Sequence, residues 1–484
     1  MKQSTVAVIV LSLAAVLLVI GAAWGARRMH SVSDFFVGSR RSDVWITALS
    51  HTANAMPPWL LLIVSGSAFA WGLSAIWLWA ALVLGFLLNW FFVALRLRAA
   101  AGSENALSVM QILSFDAGDR LQLMIRLSAS LILLVALMLL AAAQLHAAAD
   151  LAAATVGISA TAITVCAGIA MMLYVLIGGY PAASISDVAT MLIMLMIALC
   201  LPLPAVLAAD GTAQLKIGFA ALGAEANDWF GGRTGVVALA FALGVSATGF
   251  ALAGQPHAVG RFMAARDART LQQARWISLG CVLVVPWMML LCGWCAKVLY
   301  EGLNDPSLAL FAIGNRTLPP WLAALIATLA ICALVASMGG PLLAAAASLA
   351  LDLRSIRQRA SLAWAHIALL LCAVITLLLS LYAGEEFLEQ SMLALNLMGS
   401  SIGPLLLVRL GGKRVRPGST LGALWAGTLL TLVFHLLPDA PGDFLERVVP
   451  FVAALGIALT GGQRRRNPDR ADRNEQTVHD RVPI

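Results

Sequence analysis

The residues of this chain with chemistry to offer are few, and the densest group sits where an apolar run is broken, at Ser50-His51-Thr52-Ala53-Asn54-Ala55-Met56-Pro57-Pro58-Trp59. Two adjacent prolines remove two backbone donors and push the residue before them out of helical geometry. Carbonyls freed beside His51, Thr52 and Asn54 could hold a cation or a small polar solute; a proline kink capped by His and Asn is the structural alternative. A second break follows the spaced glycines Gly244, Gly249 and Gly254, which run into Gln255-Pro256-His257. A third lies at Ser337-Met338-Gly339-Gly340-Pro341, where Ser337 could offer an oxygen to a cation. Small residues at that place also permit close helix packing.

Other chemistry is sparse. The seven cysteines all lie in apolar stretches, so no disulfide framework is implied. Cys292-Gly-Trp-Cys295 has redox spacing but no βαβ context, which favours packing. His146 and Asp150 are one helical turn apart and could pair as a structural contact. Asp150 and Asp187 fall near the ends of apolar runs and no carboxylate falls at mid-depth, which disfavours a carboxylate-relay proton pump or a strongly cationic substrate. His51, His366 and His435 are scattered, so no catalytic cluster and no enzyme is expected. No GxxxxGK[ST] loop is present, which argues against an ATP-driven pump. No organic cofactor is implied.

The elements that must position these groups follow from composition. Of 484 residues, 61% are apolar and 11% charged, with a mean hydropathy of +0.90. A soluble chain carries about a quarter charged residues, so the expected class is an all-α integral membrane protein. Thirteen segments can each cross a bilayer at about 20 residues apiece. They lie near 5–25, 44–70, 73–95, 127–147, 155–178, 188–209, 234–255, 276–296, 319–350, 361–383, 390–408, 418–437 and 448–463. Threaded with the N-terminus outside, this set leaves only Lys2, Lys216, Arg233, Lys297, Arg316 and Arg447 outside, and 25 of the 31 basic residues inside. That bias supports a cytoplasmic C-terminus. The first segment reads as a retained helix and not a signal peptide, because its apolar run is long and Arg27 and Arg28 follow it. The net charge of +7 is thereby spent on loops, and no nucleic acid or obligate protein partner is implied.

The second and seventh segments, both broken, lie an odd number of crossings apart and so run in opposite directions. Two broken helices at matching places in two inverted halves point to a secondary transporter. The expected organisation is an N-terminal helix and basic loop over 1–43 and an inverted-repeat core over 44–410, with halves 44–209 and 234–410. Two peripheral helices over 411–463 and a short basic tail over 464–484, predicted to be disordered by its polarity, complete it.

Several stretches resemble the sodium:solute symporter family. Asp34-Phe35-Phe36-Val37-Gly38-Ser39-Arg40 is similar to its motif after the first helix, and Gly178-Gly179-Tyr180-Pro181-Ala182-Ala183-Ser184-Ile185-Ser186-Asp187 to its signature between the fifth and sixth. Gly254-Gln255-Pro256-His257-Ala258-Val259-Gly260-Arg261-Phe262-Met263-Ala264-Ala265 resembles the loop after the seventh helix in the bacterial sodium/proline branch. The resemblance covers about residues 30–355. It implies a thirteen-helix symporter with a five-plus-five inverted repeat that brings a small solute inward with sodium. It also implies matches at Trp59, Asp187 and Ser337, and departures at Ala55, Pro57, Pro58, Met338, Leu140, Thr248 and Leu252.

The expected function is therefore import of a small organic solute, proline or another amino acid or a carboxylate, across a bacterial inner membrane, coupled to sodium or alternatively to protons. The solute is expected at Trp59, Asn54, Thr248, Leu252 and Gln255. A weak cation site is expected at the Ala53 and Met56 carbonyls and Ser337, with Asp187 and His51 as candidates for coupling or gating. The alternative, motivated by the departures, is a transporter-like solute sensor that has lost cation coupling.

Overall fold

The computed structural model describes residues 3–114, 118–300, 302–353, 361–382, 387–438 and 440–464. Lys2, Arg354, Arg357 and Arg359, and the basic tail from residue 465, lie outside the described residues. With no water in the hydrocarbon layer, each backbone group must be bonded within its own segment, and the apolar runs accordingly fold as helices.

In chain order these begin with α1 (Gln3–Ala26), short α2 (Val32–Val37), α3 (Val44–Ala55) and α4 (Trp59–Trp71). Helix α5 (Ile76–Leu87) continues through a π-helical turn, Leu88–Val93, into α6 (Ala94–Ser103), and α7 (Val109–Ser114) leads to the long α8 (Asp119–Val156) and α9 (Ala160–Cys200). Short α10 (Pro202–Ala208), α11 (Gly211–Ala221) and α12 (Ala224–Asn227) precede α13 (Gly235–Ala251), α14 (Pro256–Ala264), α15 (Ala268–Leu299) and α16 (Ala309–Thr317). The rest are α17 (Pro320–Ser337), α18 (Gly339–Ala347), α19 (Leu362–Tyr382), α20 (Phe387–Leu410), α21 (Pro417–His435) and α22 (Phe444–Thr460). Strands β1 (Lys413–Val415) and β2 (Gly462–Arg464) pair antiparallel beside the last two helices.

Among the described residues ten helical stretches are long and apolar enough to cross a membrane, against thirteen expected segments. The difference has physical causes. The second segment is cut at Pro57-Pro58: α3 is too short to cross alone, and α4 runs on with the third segment in one stretch, Trp59–Ser103. Segments five and six join into one stretch, Ala160–Ala208, because the turn between them is a single residue, Gly179, at φ 54° and ψ −148°. The thirteenth is α22, which has only 17 residues.

Several helices touch backbone to backbone. A Cβ on Gly85 would strike the Gly249 carbonyl, and one on Gly249 the Ala81 carbonyl, so α5 and α13 meet with nothing between them. Gly293 of α15 lies in the same way on Ser65 of α4, and Gly427 of α21 on Ser400 of α20. Small residues take the place of the missing hydrophobic drive between helices in lipid. Leu, Val and Ile side chains face outward from α1, α5, α13 and α19, as at Val236, 81% exposed.

Candidate functional site

The α3–α4 break follows from hydrogen-bond accounting. In a continuous helix the Ala53 and Asn54 carbonyls would accept from residues 57 and 58. Both are prolines, with no N–H to give. Met56 leaves the helix at φ −136° and ψ 72°, and the first bonds of α4 go back to the Pro57 and Pro58 carbonyls at 2.9 and 3.0 Å. The His257 ring lies beside the Asn54 carbonyl. The Ala53 carbonyl keeps no helical donor.

The second break, at Leu252–Gln255, sends α14 across the end of α3. His51 stacks on Phe262 of α14 with ring centroids 4.2 Å apart, and its Nδ1 lies 3.1 Å from the Ala258 carbonyl. The chain before α3 and the chain after α14 are also stitched together: Ser42 N–H donates to the Ala264 carbonyl and Arg266 N–H to that of Ser42, each at 3.1 Å. The third break brings Gly340 of α18 against Asn54, close enough that a Cβ there would overlap Asn54 Oδ1.

At this junction lies a buried ion pair. Arg261 Nη2 is 2.8 Å from Asp187 Oδ2, with the side chains 3% and 1% exposed. Ser50 Oγ donates to the same carboxylate at 2.6 Å, Asn54 Nδ2 donates to the Ser50 carbonyl at 2.8 Å, and the Tyr180 ring lies under the guanidinium at 4.9 Å. The sequence placed Asp187 at the end of a segment and Arg261 with the loop charges. The structure buries both side chains at the junction, because α14 packs against α3 and α18 and carries Arg261 with it. A cavity of about 60 Å³ reaches Arg261, lined among others by Tyr180, His257, Gly340, Ser348 and Asp352.

The other expected residues are placed as follows. Ser337 is 5% exposed, and its hydroxyl lies 2.6 Å from Gln144 Oε1 and 2.7 Å from the Leu334 carbonyl. One of those oxygens takes its proton, leaving its lone pairs as acceptors. Trp59, Ala53, Met56, Leu252 and Gln255 are all buried, and the Trp59 Nε1 has no partner among the described residues. The Leu252 carbonyl accepts weakly from Asn89 Nδ2 at 3.4 Å. Thr248 is only half-buried and gives its proton to the Val245 carbonyl at 2.7 Å. Hydrogen bonds and contacts thus unite Asn54, Asp187 and His51 with α14 and α18, whereas no hydrogen bond among the described residues ties Thr248 to the α3–α4 break.

Sequence reasoning missed Arg261, Gln144 and the chain Trp90–Ser278–Thr52, in which Trp90 Nε1 lies 2.8 Å from Ser278 Oγ and that oxygen 2.6 Å from Thr52 Oγ1. Arg261, one turn after His257 in a helix started by Pro256, was the one with a visible signal. Cys292 and Cys295 are buried on one helix, and His146 lies 3.3 Å from Asp150, both as their packing readings require.

Three broken helices around one buried polar junction are an arrangement with known relatives. The model of the family described as "SSF: Sodium:solute symporter family" matches residues 35–429. The chain belongs to the sodium:solute symporter family. It is 25% identical over 442 residues to the high-affinity proline transporter of Bacillus subtilis (strain 168), covering 88% of this chain and 91% of that one. It is 26% identical to the sodium/proline symporter of Haemophilus influenzae, covering 89% and 88%. Among solved structures, a sodium-coupled sialic acid symporter superposes with a TM-score of 0.78 at 15% identity, over 96% of this chain and 99% of that chain. A nucleobase-cation-symport-1 family transporter gives 0.55 at 15% identity, over 87% and 92%. These likenesses show the inverted-repeat transporter fold. This family member is thus a multi-pass cell-membrane symporter of a small solute, in a family that uses sodium as its coupling ion.

Proposed function

We propose that this symporter imports a small zwitterionic solute, with proline the first to test among amino acids and carboxylates, driven by sodium. The carrying observation is the Ala53 carbonyl, which loses its helical donor to Pro57, at a break packed against the start of α18. Sodium would be held by the Ala53 and Met56 carbonyls and the Ser337 hydroxyl, since a hard cation needs several oxygens. Solute would lie at Trp59, Asn54, Thr248, Leu252 and Gln255, with Asp187 closing the site through Arg261. The proline transporters among the relatives support this substrate class. Sodium is favoured over protons because the His51 ring is packed between Phe262 and Trp90 and braces α14. Halves over 44–209 and 234–410 would rock about this junction, with the N-terminus outside and the C-terminus cytoplasmic.

Labelled-proline uptake into proteoliposomes tests the proposal under an inward sodium gradient, a proton gradient, or neither. Uptake driven by sodium alone is expected. Uptake driven by protons alone would overturn the coupling ion. Saturable proline binding without uptake under any gradient would favour the second reading, a solute sensor, which Ala55 and Met338 at family ligand positions motivate.

A further inference from the structure

At the membrane face where α1 ends and α3 begins, the chain encloses a second cavity, of about 260 Å³. Its lining includes Trp24, Arg27, Arg28, His30, Asp34 and Arg41. Three guanidinium groups thus share one cavity with one carboxylate. That carboxylate is already satisfied: Ser31 Oγ donates to it at 2.8 Å, Ser39 Oγ donates to its other oxygen, and His30 N–H reaches it at 3.2 Å. Burial pushes the Asp34 carboxyl up, but the Ser39 and Ser31 hydroxyls, the His30 amide and nearby Arg41 together hold it below the usual carboxylate range. It is therefore a structural cap of α2, where it also lies one turn from the capping hydroxyl of Ser31.

The guanidinium groups are differently placed. Arg27, Arg28 and Arg41 are exposed, and none of the three side chains has a hydrogen bond or ion pair among the described residues. Arg28 lies over the Trp24 ring, its Cζ 3.9 Å from the centroid, a contact with the ring face that leaves its N–H donors available to an anion. Two aromatic side chains mark the depth. Trp24 is half-buried in the wall, and Trp45, on the first turn of α3, is 62% exposed. Tryptophan gathers at the headgroup level of a bilayer. A cationic cavity open at that level meets a layer of phosphate groups.

We propose that this cavity binds the phosphate of an anionic phospholipid headgroup, through Arg27, Arg28 and Arg41, with the lipid's acyl chains lying along the apolar outer side of α1. Bidentate donation suits guanidinium to phosphate, and basic pockets between helices at the membrane surface recognise such headgroups. The site is separate from the solute and cation positions and does not depend on which coupling ion is used.

The test is native mass spectrometry of the purified full-length protein titrated with phosphatidylglycerol or phosphatidylcholine. The wild type should retain phosphatidylglycerol in preference to phosphatidylcholine. Combined Arg27→Ala, Arg28→Ala and Arg41→Ala should weaken that adduct by roughly a hundredfold. Arg96→Ala, which removes a basic side chain stacked on Phe92 elsewhere on the surface, should leave it unchanged. Should the triple variant fail to fold, Arg28→Lys keeps the charge, loses the guanidinium fork that donates to phosphate in pairs, and should still weaken the adduct several-fold. Inorganic phosphate added as a competitor separates the sources: a lipid adduct that resists millimolar phosphate supports the proposal, and one displaced by it assigns the cavity to a soluble anion and overturns the lipid. Equal retention of phosphatidylglycerol by wild type and Arg28→Lys or the triple variant would also overturn it.

Discussion

Arg261 and Asp187 show what a single residue type conceals. On the sequence, an arginine between apolar segments reads as one more positive-inside charge, and no spacing rule joins it to an aspartate far earlier in the chain. Their meeting depends on how α14 packs against α3 and α18, which the sequence does not show. A buried pair loses more when one partner is removed than it contributes as a pair. Asp187→Asn and Arg261→Gln should each destabilise by about 3–5 kcal/mol, and the double variant by less than the sum. Thermal unfolding of the purified protein decides this, and additive losses would mean the two act separately. Ser337 should matter to the ion: Ser337→Ala should raise the sodium concentration for half-maximal uptake by roughly tenfold, taking a lost charge-assisted contact as about 1.5 kcal/mol. An unchanged sodium dependence would remove Ser337 from the site. Asp34 sets an acid limit on α2. Its pKa is lowered on folding, so its contribution is fully present above the ordinary carboxylate value of about 4 and is lost as pH falls through the folded value. The acid limb of melting temperature against pH should therefore flatten in Asp34→Asn, and an identical limb would show that the carboxylate does not stabilise the loop.

At the scale of elements, most of the bundle was legible. The breaks at Pro57-Pro58, Gln255-Pro256 and Ser337–Pro341 announce themselves because proline and glycine act through the backbone, which sequence does encode locally. What stayed hidden was which breaks touch, and that segments five and six join through one residue. Gly179 holds a conformation open to glycine almost alone, and a Cβ there would press on Met29 and Phe35 at 3.1 Å. Gly179→Ala should cost about 1–3 kcal/mol of backbone strain and lower the melting temperature; no change would mean that the bend relaxes freely. Pro57→Ala tests the break itself. It returns an N–H to the Ala53 carbonyl, and sodium affinity should fall while the fold persists. Sodium-driven uptake with wild-type affinity in that variant would show that the Ala53 carbonyl does not hold the ion.

For the whole molecule, the charge pattern and the expected span count together give the proposed sidedness, because lipid imposes one global rule on every loop at once. The solute was not legible in the same way: of the side chains expected to line its site, Trp59, Asn54, Thr248, Leu252 and Gln255, none is of a type that singles out one solute. The proposed orientation predicts that a fluorescent protein fused after the tail lights up in cells while a phosphatase fused there stays inactive; the reverse pair of results would invert the topology.

The strand pair gives this end of the chain a mechanical character. Lys413 faces Arg464 across the pair, so the stretch that holds α21 and α22 is closed at its base like a buckled strap. A force applied to the tail therefore reaches the end of α20 first, through three residues of ladder, and the two helices beyond carry no tension until the buckle opens. Pulled from its C-terminus, the protein should first unzip that ladder and then release α21 and α22 in one step.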